Sequence, residues 1–195
     1  MDVVPAQAFA YLEAAISIYS SISLFLTMTY FRKPSSPSES PFALSQALFG
    51  TLAIVGNAIF LHGIITRIST SPPSNFELSL IALLQTLSHT LWSYTRRTVP
   101  PNRFTRALSR DIPKELVTTG PYAYLRNPFY TAYLLTYAAT AVLAGRKVDY
   151  ALLGAFYVCY YVLSKSEERK FEGSELRGEY ERFKKTRARF FVGDF

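Results

Sequence analysis

Long apolar segments alternate with short polar turns along the chain. An α-helix needs roughly 20 predominantly apolar residues to cross the hydrocarbon core of a bilayer. We therefore predict an all-α integral membrane protein with five transmembrane helices. The predicted spans are residues 14–31, 42–65, 78–94, 128–144 and 150–163. The fifth span holds 14 residues, so it requires tilting or a locally thin bilayer.

The turns between these spans have the composition expected of loops. The stretch PSSPSESP, residues 34–41, follows the first span, and Ser71-Pro-Pro-Ser follows the second. Gly145-Arg-Lys-Val-Asp forms a tight connection between the fourth and fifth spans. These two spans are therefore expected to be antiparallel neighbours in a helical hairpin.

The charged residues are distributed unevenly. The formal net charge is +7, but Asp2 and Glu13 are the only charged side chains in residues 1–31, whereas residues 165–189 contain nine Lys or Arg. An apolar half with a basic tail is typical of a membrane protein rather than of a nucleic-acid-binding protein. A soluble helical protein with a solvated basic tail is the alternative, and the long uncharged segments argue against it.

The basic residues also predict the orientation in the membrane. With five spans, the first and third loops and the C-terminal tail lie on one side, and they carry 18 of the 21 Lys and Arg residues. The positive-inside rule places that side in the cytosol. A four-span alternative, with the first apolar segment lying in the interface, changes the side of the N-terminus but leaves the tail cytosolic.

Two polar segments are expected to meet at the cytosolic face. One is the stretch GPYAYLRNPFYTAYLL, residues 120–135, and the other begins at Ser166-Glu-Glu-Arg-Lys-Phe. The short hairpin returns Arg126–Tyr130 and Glu167–Glu168 to about the same depth. Paired carboxylates near an arginine, an amide and several aromatic rings are suited to a polar zwitterionic ligand. The carboxylates would take an ammonium group, and the rings would face an adenine or a sulfonium cation.

Each of these features also has a structural explanation. The tyrosines of the first segment are typical of an interfacial aromatic belt, and Arg126 is typical of a positive-inside anchor. Glu167–Glu168 would then start a solvated surface helix. His62 and His89 lie within predicted spans, where a neutral packing role is as consistent with the sequence as a functional one. Two distant histidines and the single cysteine, Cys159, form neither a metal site nor an internal disulfide.

The order of these motifs resembles the isoprenylcysteine carboxyl methyltransferases and the related phospholipid methyltransferases. The resemblance rests on Leu116-Val-Thr-Thr-Gly-Pro-Tyr-Ala-Tyr-Leu-Arg-Asn-Pro-Phe-Tyr130, then the hairpin, Glu167-Glu168, and Gly178-Glu-Tyr-Glu-Arg-Phe183. It implies one membrane domain over 1–195, with three N-terminal spans in 1–97 and a methyltransferase-like core in 115–190. A cytosolic C-terminal helix would complete the cofactor site.

The resemblance also implies a cofactor, a reaction and a set of site residues. S-adenosylmethionine would enter from the cytosol and a lipophilic or prenylated acceptor from the bilayer lipid, in the endoplasmic reticulum membrane, with neither metal nor nucleic acid involved. An acceptor oxygen would attack the sulfonium methyl in line, aided by alignment and desolvation. The implied catalytic residues are Arg126 and Asn127. The implied cofactor-binding residues are Leu116, Val117, Tyr122, Asn127, Pro128, Phe129, Tyr130, Glu167 and Glu168.

Two positions depart from the family pattern. Asn127 stands where relatives carry histidine, and an amide hydrogen-bonds but does not titrate. Leu163 stands where relatives often carry an arginine associated with the substrate carboxylate. The acceptor is therefore left open between a prenylcysteine and a small lipophilic acid or hydroxyl compound. Three alternatives remain: a phospholipid N-methyltransferase, a sterol-reductase-like protein that binds a nicotinamide cofactor, and a non-catalytic binding module.

Overall fold

The computed structural model describes residues 42–99 and 114–191, with five further positions nearer the N-terminus: Ala8, Tyr11, Leu12, Ala15 and Ile16. The described part is helical and contains no β-strand. Its α-helices are α1 (Phe42–Thr70), α2 (Asn75–Thr98), α3 (Pro128–Ala144), α4 (Lys147–Glu172) and α5 (Arg177–Thr186). A single turn of 3₁₀ helix, Gly120–Ala123, precedes α3.

Four of the helices contain the second to fifth predicted spans, and the first predicted span lies outside the described residues. α4 extends well beyond the predicted 150–163, so that Glu167 and Glu168 lie in its last turns. This extension is consistent with the high helix propensity of the Glu, Arg and Lys residues that follow the apolar part. α2 begins at Ser74, where the serine hydroxyl and Glu77 form a reciprocal capping box.

Among the described helices, α1 is the one that is long and apolar enough to cross a membrane, over Gly50–Thr70. α3 carries no charge but has 17 residues, fewer than the roughly 20 that span a bilayer core. One such helix does not establish five spans, so the five-span topology stays a prediction.

α3 is the central helix of the described part and packs against α1, α2 and α4. Its side chains are buried around most of its circumference. Tyr137 of α3 stacks on Phe156 of α4 with ring centroids 4.0 Å apart, and Phe60 of α1 stacks against both rings. Two turns toward the N-terminus of α3, Tyr130 stacks on Tyr160 at 5.1 Å. This continuous aromatic core fixes which residues of α3 and α4 face each other.

The α3–α4 connection is the tight hairpin that its sequence predicts. Gly145 adopts a left-handed conformation with φ of 75°, and its N–H donates to the carbonyl of Ala141. The next residue, Arg146, donates from Nε and Nη2 to the fully buried carboxylate of Asp149, and Nη2 also donates to the carbonyl of Ile59 in α1 at 2.6 Å. The arginine thus joins the hairpin to α1.

Asp149→Asn should destabilise the protein, because the Arg146 guanidinium loses the charge that compensates for its partial burial. The expected loss is about 1–3 kcal/mol, the range for a hydrogen bond to a charged group. A lower melting temperature of the purified protein in detergent measures it. Lys147→Gln changes an exposed neighbour in the same turn and serves as the control. An unchanged melting temperature for Asp149→Asn would contradict this role of the hairpin.

Candidate active site

The turn before α3 depends on Gly120 and Pro121. Gly120 has a φ of 58°, and a β-carbon at this position would collide with the side chain of Thr98 at the end of α2. Pro121 is buried in the second position of the 3₁₀ turn, and its carbonyl accepts hydrogen bonds from Tyr124 and Leu125. The Gly-Pro step therefore brings the following residues back against the helices.

A C-terminal strap, residues 187–191, pairs with the backbone of this loop. Leu125 and Ala188 form a parallel bridge. The N–H of Arg126 donates to the carbonyl of Ala188 at 2.7 Å, and the N–H of Ala188 donates to the carbonyl of Tyr124 at 3.1 Å. The strap arrives from α5, which packs on α4 through Tyr180 stacked on Phe171. The chain after α4 thus folds back onto the segment before α3.

Glu167 lies at the centre of a group of tyrosines. The hydroxyl of Tyr130 donates to its Oε1 at 2.7 Å. Burial raises the pKa of Glu167 to about 7, and the neighbouring Glu168 adds to this shift, whereas the Tyr130 hydrogen bond and Lys170 oppose it. The pKa of Tyr122 is raised by burial first and then by the negative charge of Glu167. A carboxylate in this setting favours a cationic partner.

Glu168 is in a different environment, although it is the next residue. It is buried between two arginines, with its Oε1 3.2 Å from Nη1 of Arg126 and 3.2 Å from Nη1 of Arg189. All three side chains are at least nine-tenths buried. Consecutive helix residues point about 100° apart, since a turn holds 3.6 residues. One glutamate is therefore neutralised by protein cations, while the other faces the tyrosines.

The remaining predicted site residues surround the start of α3. Pro128 is buried in its first turn, and Phe129 stacks against Tyr133 and meets Trp92 edge-on. Asn127 precedes the helix, and its side-chain Nδ2 makes a long hydrogen bond of 3.5 Å to the carbonyl of Arg189. Leu116 and Val117 are half-buried in irregular chain before the 3₁₀ turn.

The two histidines lie on exposed faces of α1 and α2. His62 contacts Thr66 through Nδ1, and Nδ1 of His89 is 2.8 Å from the carbonyl of Gln85, each within its own helix. Across the described ranges, no three His, Cys, Asp or Glu side chains are grouped so that they could hold a metal ion.

The model of the phospholipid methyltransferase family matches residues 78–173, about half of the chain. This segment belongs to the phospholipid methyltransferase family. It contains the 3₁₀ turn, the hairpin and both glutamates, so the resemblance seen in the motifs is confirmed. Neither the curated proteins nor the solved structures gave a match.

The family match differs in extent from the motif resemblance. The family match begins at the third predicted span, where the sequence motifs alone gave only a general resemblance. It ends before Gly178-Glu-Tyr, which was part of the motif resemblance. The C-terminal strap therefore lies outside the matched segment. The family match indicates a methyltransferase, but it identifies neither the methylated atom nor the acceptor.

Sequence reasoning missed Arg189, which supplies the second cation of the Glu168 cluster. In the sequence it is one of nine basic residues in a tail that the positive-inside rule explains as a whole. The available signal was its setting in Ala188-Arg-Phe-Phe, because an arginine between apolar residues is better suited to a buried ion pair than to solvent. Identifying its partner required the tertiary structure.

Tyr130→Phe should raise the pKa of Glu167 above its value of about 7, because a hydrogen bond that stabilises the charged carboxylate is lost. Carbon-13 NMR of carboxyl-labelled glutamate, titrated in detergent, measures the change. Tyr124→Phe alters an exposed tyrosine of the same loop and should leave the titration in place. An unchanged midpoint in Tyr130→Phe would show that this hydroxyl does not control the charge of Glu167.

Proposed function

We propose that this protein is a membrane methyltransferase that transfers the methyl group of S-adenosylmethionine to an oxygen of a lipophilic acceptor. The observation that supports the proposal most directly is the Glu167 carboxylate among tyrosines, 2.7 Å from the Tyr130 hydroxyl, inside the segment that matches a methyltransferase family. The preferred acceptor group is a carboxylate, as in a prenylcysteine or a small lipophilic acid. A hydroxyl is the second choice.

The residues present fit S-adenosylmethionine. The cofactor carries a sulfonium and an ammonium group, and Glu167 offers a carboxylate whose pKa is raised mainly by burial, so that its charged form would gain from a cationic partner. The rings of Tyr122 and Tyr130 add surfaces on which a cation is favourable. Asn127, Pro128 and Phe129 would complete the wall at the start of α3, with Leu116 and Val117 adding backbone contacts from the other side of the turn.

The proposed roles of the protein residues follow from these environments. S-adenosylmethionine, when bound, supplies an electrophilic methyl group on a positively charged sulfur. Glu167 balances that charge, and the surrounding aromatic side chains exclude water, which strengthens the attraction. Arg126 was predicted to be catalytic; because its Nη1 is paired with the buried Glu168 carboxylate, we propose a positioning role for it. An acceptor carboxylate is already ionised at pH 7 and needs no base, so orientation and desolvation are sufficient.

The proposed location is a membrane, with the site at its cytosolic face. The family and the apolar segment Gly50–Thr70 support membrane insertion. The predicted five-span topology would put the 120–130 loop and the basic tail on the cytosolic side of the endoplasmic reticulum, where the water-soluble cofactor is available. The acceptor would reach the site from the bilayer.

A second candidate is methylation of an amine on a phospholipid headgroup, which the description of the matching family favours. An amine must lose a proton before or during the transfer. Glu167, with a pKa of about 7, is able to accept one near neutral pH. In this alternative the same carboxylate would have a second role.

Glu167→Gln should weaken S-adenosylmethionine binding by about 1–3 kcal/mol, since a charge-assisted contact is lost. In the wild type, protonation of Glu167 should no longer limit affinity above about pH 7, the pKa of this carboxyl group, and below it affinity should fall by up to about tenfold per pH unit. The reason is that a protonated Glu167 must release its proton to face a cation. Titration calorimetry from pH 5.5 to 8.5 measures both effects.

Glu172→Gln provides the matched control, because this exposed glutamate lies on the same helix. It should bind as the wild type does at every pH. A Glu167→Gln protein with unchanged affinity and unchanged pH dependence would remove Glu167 from the cofactor site.

The acceptor is tested with purified protein in detergent, labelled S-adenosylmethionine, and prenylcysteine, fatty-acid and phosphatidylethanolamine acceptors. Label in a base-labile ester indicates carboxyl methylation, and base-stable label in a phospholipid indicates the amine alternative. Cofactor binding without transfer to any acceptor class would favour a non-catalytic relative. Absence of cofactor binding would reject the methyltransferase proposal.

A further inference from the structure

The guanidinium of Arg189 makes several contacts with α4. Nη1 lies 3.2 Å from Oε1 of Glu168 and donates to Oγ of Ser164 at 3.0 Å, while Nη2 donates to Oε2 of Glu168 at 3.4 Å. Its plane lies over the ring of Tyr161, 4.8 Å from the centroid. These contacts use both oxygens of the carboxylate, an arrangement that the planar fork of arginine permits and lysine does not.

The backbone of Arg189 contacts the other half of the site. Its carbonyl accepts from the N–H of Asn127 at 3.2 Å and from the Asn127 side chain at 3.5 Å. The carbonyl of the next residue, Phe190, accepts from the hydroxyl of Thr131 at 2.7 Å. A single strap residue thus touches both the residue before α3, Asn127, and Glu168 of α4.

We propose that Arg189 is a positioning residue of the active site, which holds the 120–130 loop and the Glu167–Glu168 pair in register. The inference rests on the proposed function as far as the cofactor is concerned. The contacts of Arg189 with Glu168, Ser164 and Asn127, which we call the clasp, are a property of the ligand-free protein. Arg189 would thus have a role in the site although it lies outside the segment that matches the family.

The electrostatic consequence can be derived from the charges around Glu167. The pKa of Glu167 is influenced by Tyr130 of α3 and by Glu168 and Lys170 of α4, and the charge of Glu167 in turn acts on Tyr122 of the turn, Tyr133 of α3 and Tyr180 of α5. Glu168 raises the pKa of Glu167 by like-charge repulsion. Removing Arg189 leaves Glu168 with one cation instead of two, so the repulsion on Glu167 increases.

The test uses Arg189→Met with two readouts. In the ligand-free protein, the Glu167 titration followed by carbon-13 NMR should move to higher pH. With S-adenosylmethionine, the affinity at pH 7 should fall by about tenfold or more, and the pH at which affinity begins to fall should rise in parallel. Glu168→Gln should move the Glu167 midpoint in the opposite direction, because it removes the repelling charge.

Arg187→Met is the matched control, because this strap arginine lies over Phe183 and contacts Thr186 rather than the glutamates. It should leave the Glu167 midpoint unchanged. Arg189→Lys should keep the wild-type midpoint, since the charge is retained, but should bind the cofactor more weakly, since the fork is lost.

The outcomes separate the clasp from the proposed function. A Glu167 midpoint that does not move in Arg189→Met overturns the positioning role, even if stability falls. If Arg189→Met does not fold, the test rests on Arg189→Lys. An Arg189→Lys protein that binds the cofactor as tightly as the wild type overturns the positioning role. If the wild-type protein binds no S-adenosylmethionine while the midpoint shifts as expected, the clasp stands and the methyltransferase proposal fails.

Discussion

The buried carboxylate of Glu168 is the constraint on which the rest of the site depends. A charge taken out of water costs several kcal/mol unless it is paired with good geometry. Two arginines provide that pairing, one from the loop before α3 and one from the C-terminal strap. Since moving either arginine away would break a buried ion pair with Glu168, the three chain segments are held together at one place.

The packing of the central helix α3 determines which of its side chains lie next to Glu167 and Glu168. The stacked rings of Tyr137 and Phe156, and of Tyr130 and Tyr160, fix the rotation of α3 against α4. The Gly145 hairpin and the Arg146 contacts set the relative height of the two helices at the other end. Together these contacts bring the Tyr130 hydroxyl to the Glu167 carboxylate.

The adjacent glutamates show how one dipeptide serves two purposes. Glu168 turns toward the arginines and becomes part of the framework, whereas Glu167 turns toward tyrosines and has its pKa raised by burial. Glu168 also repels its neighbour, so the charge state of Glu167, the group proposed to face a cation, depends on how well Glu168 is neutralised by the two arginines. This dependence links the C-terminal strap to the chemistry proposed for the site.

The helical class, the tight α3–α4 hairpin and the closeness of Tyr130 to Glu167 could be predicted from sequence, because they follow from local features: uncharged segments, turn residues and helix length. The different environments of Glu167 and Glu168 could not be predicted from sequence, because two adjacent glutamates differ only in which side chains pack against each. The role of Arg189 could not be predicted either, because an ion pair between residues far apart in the chain produces no sequence pattern. The sequence determined that the residues of the candidate site lie at one end of the hairpin. The tertiary structure decided which charges there are neutralised and which face the tyrosines, because burial and pairing arise only when distant segments meet.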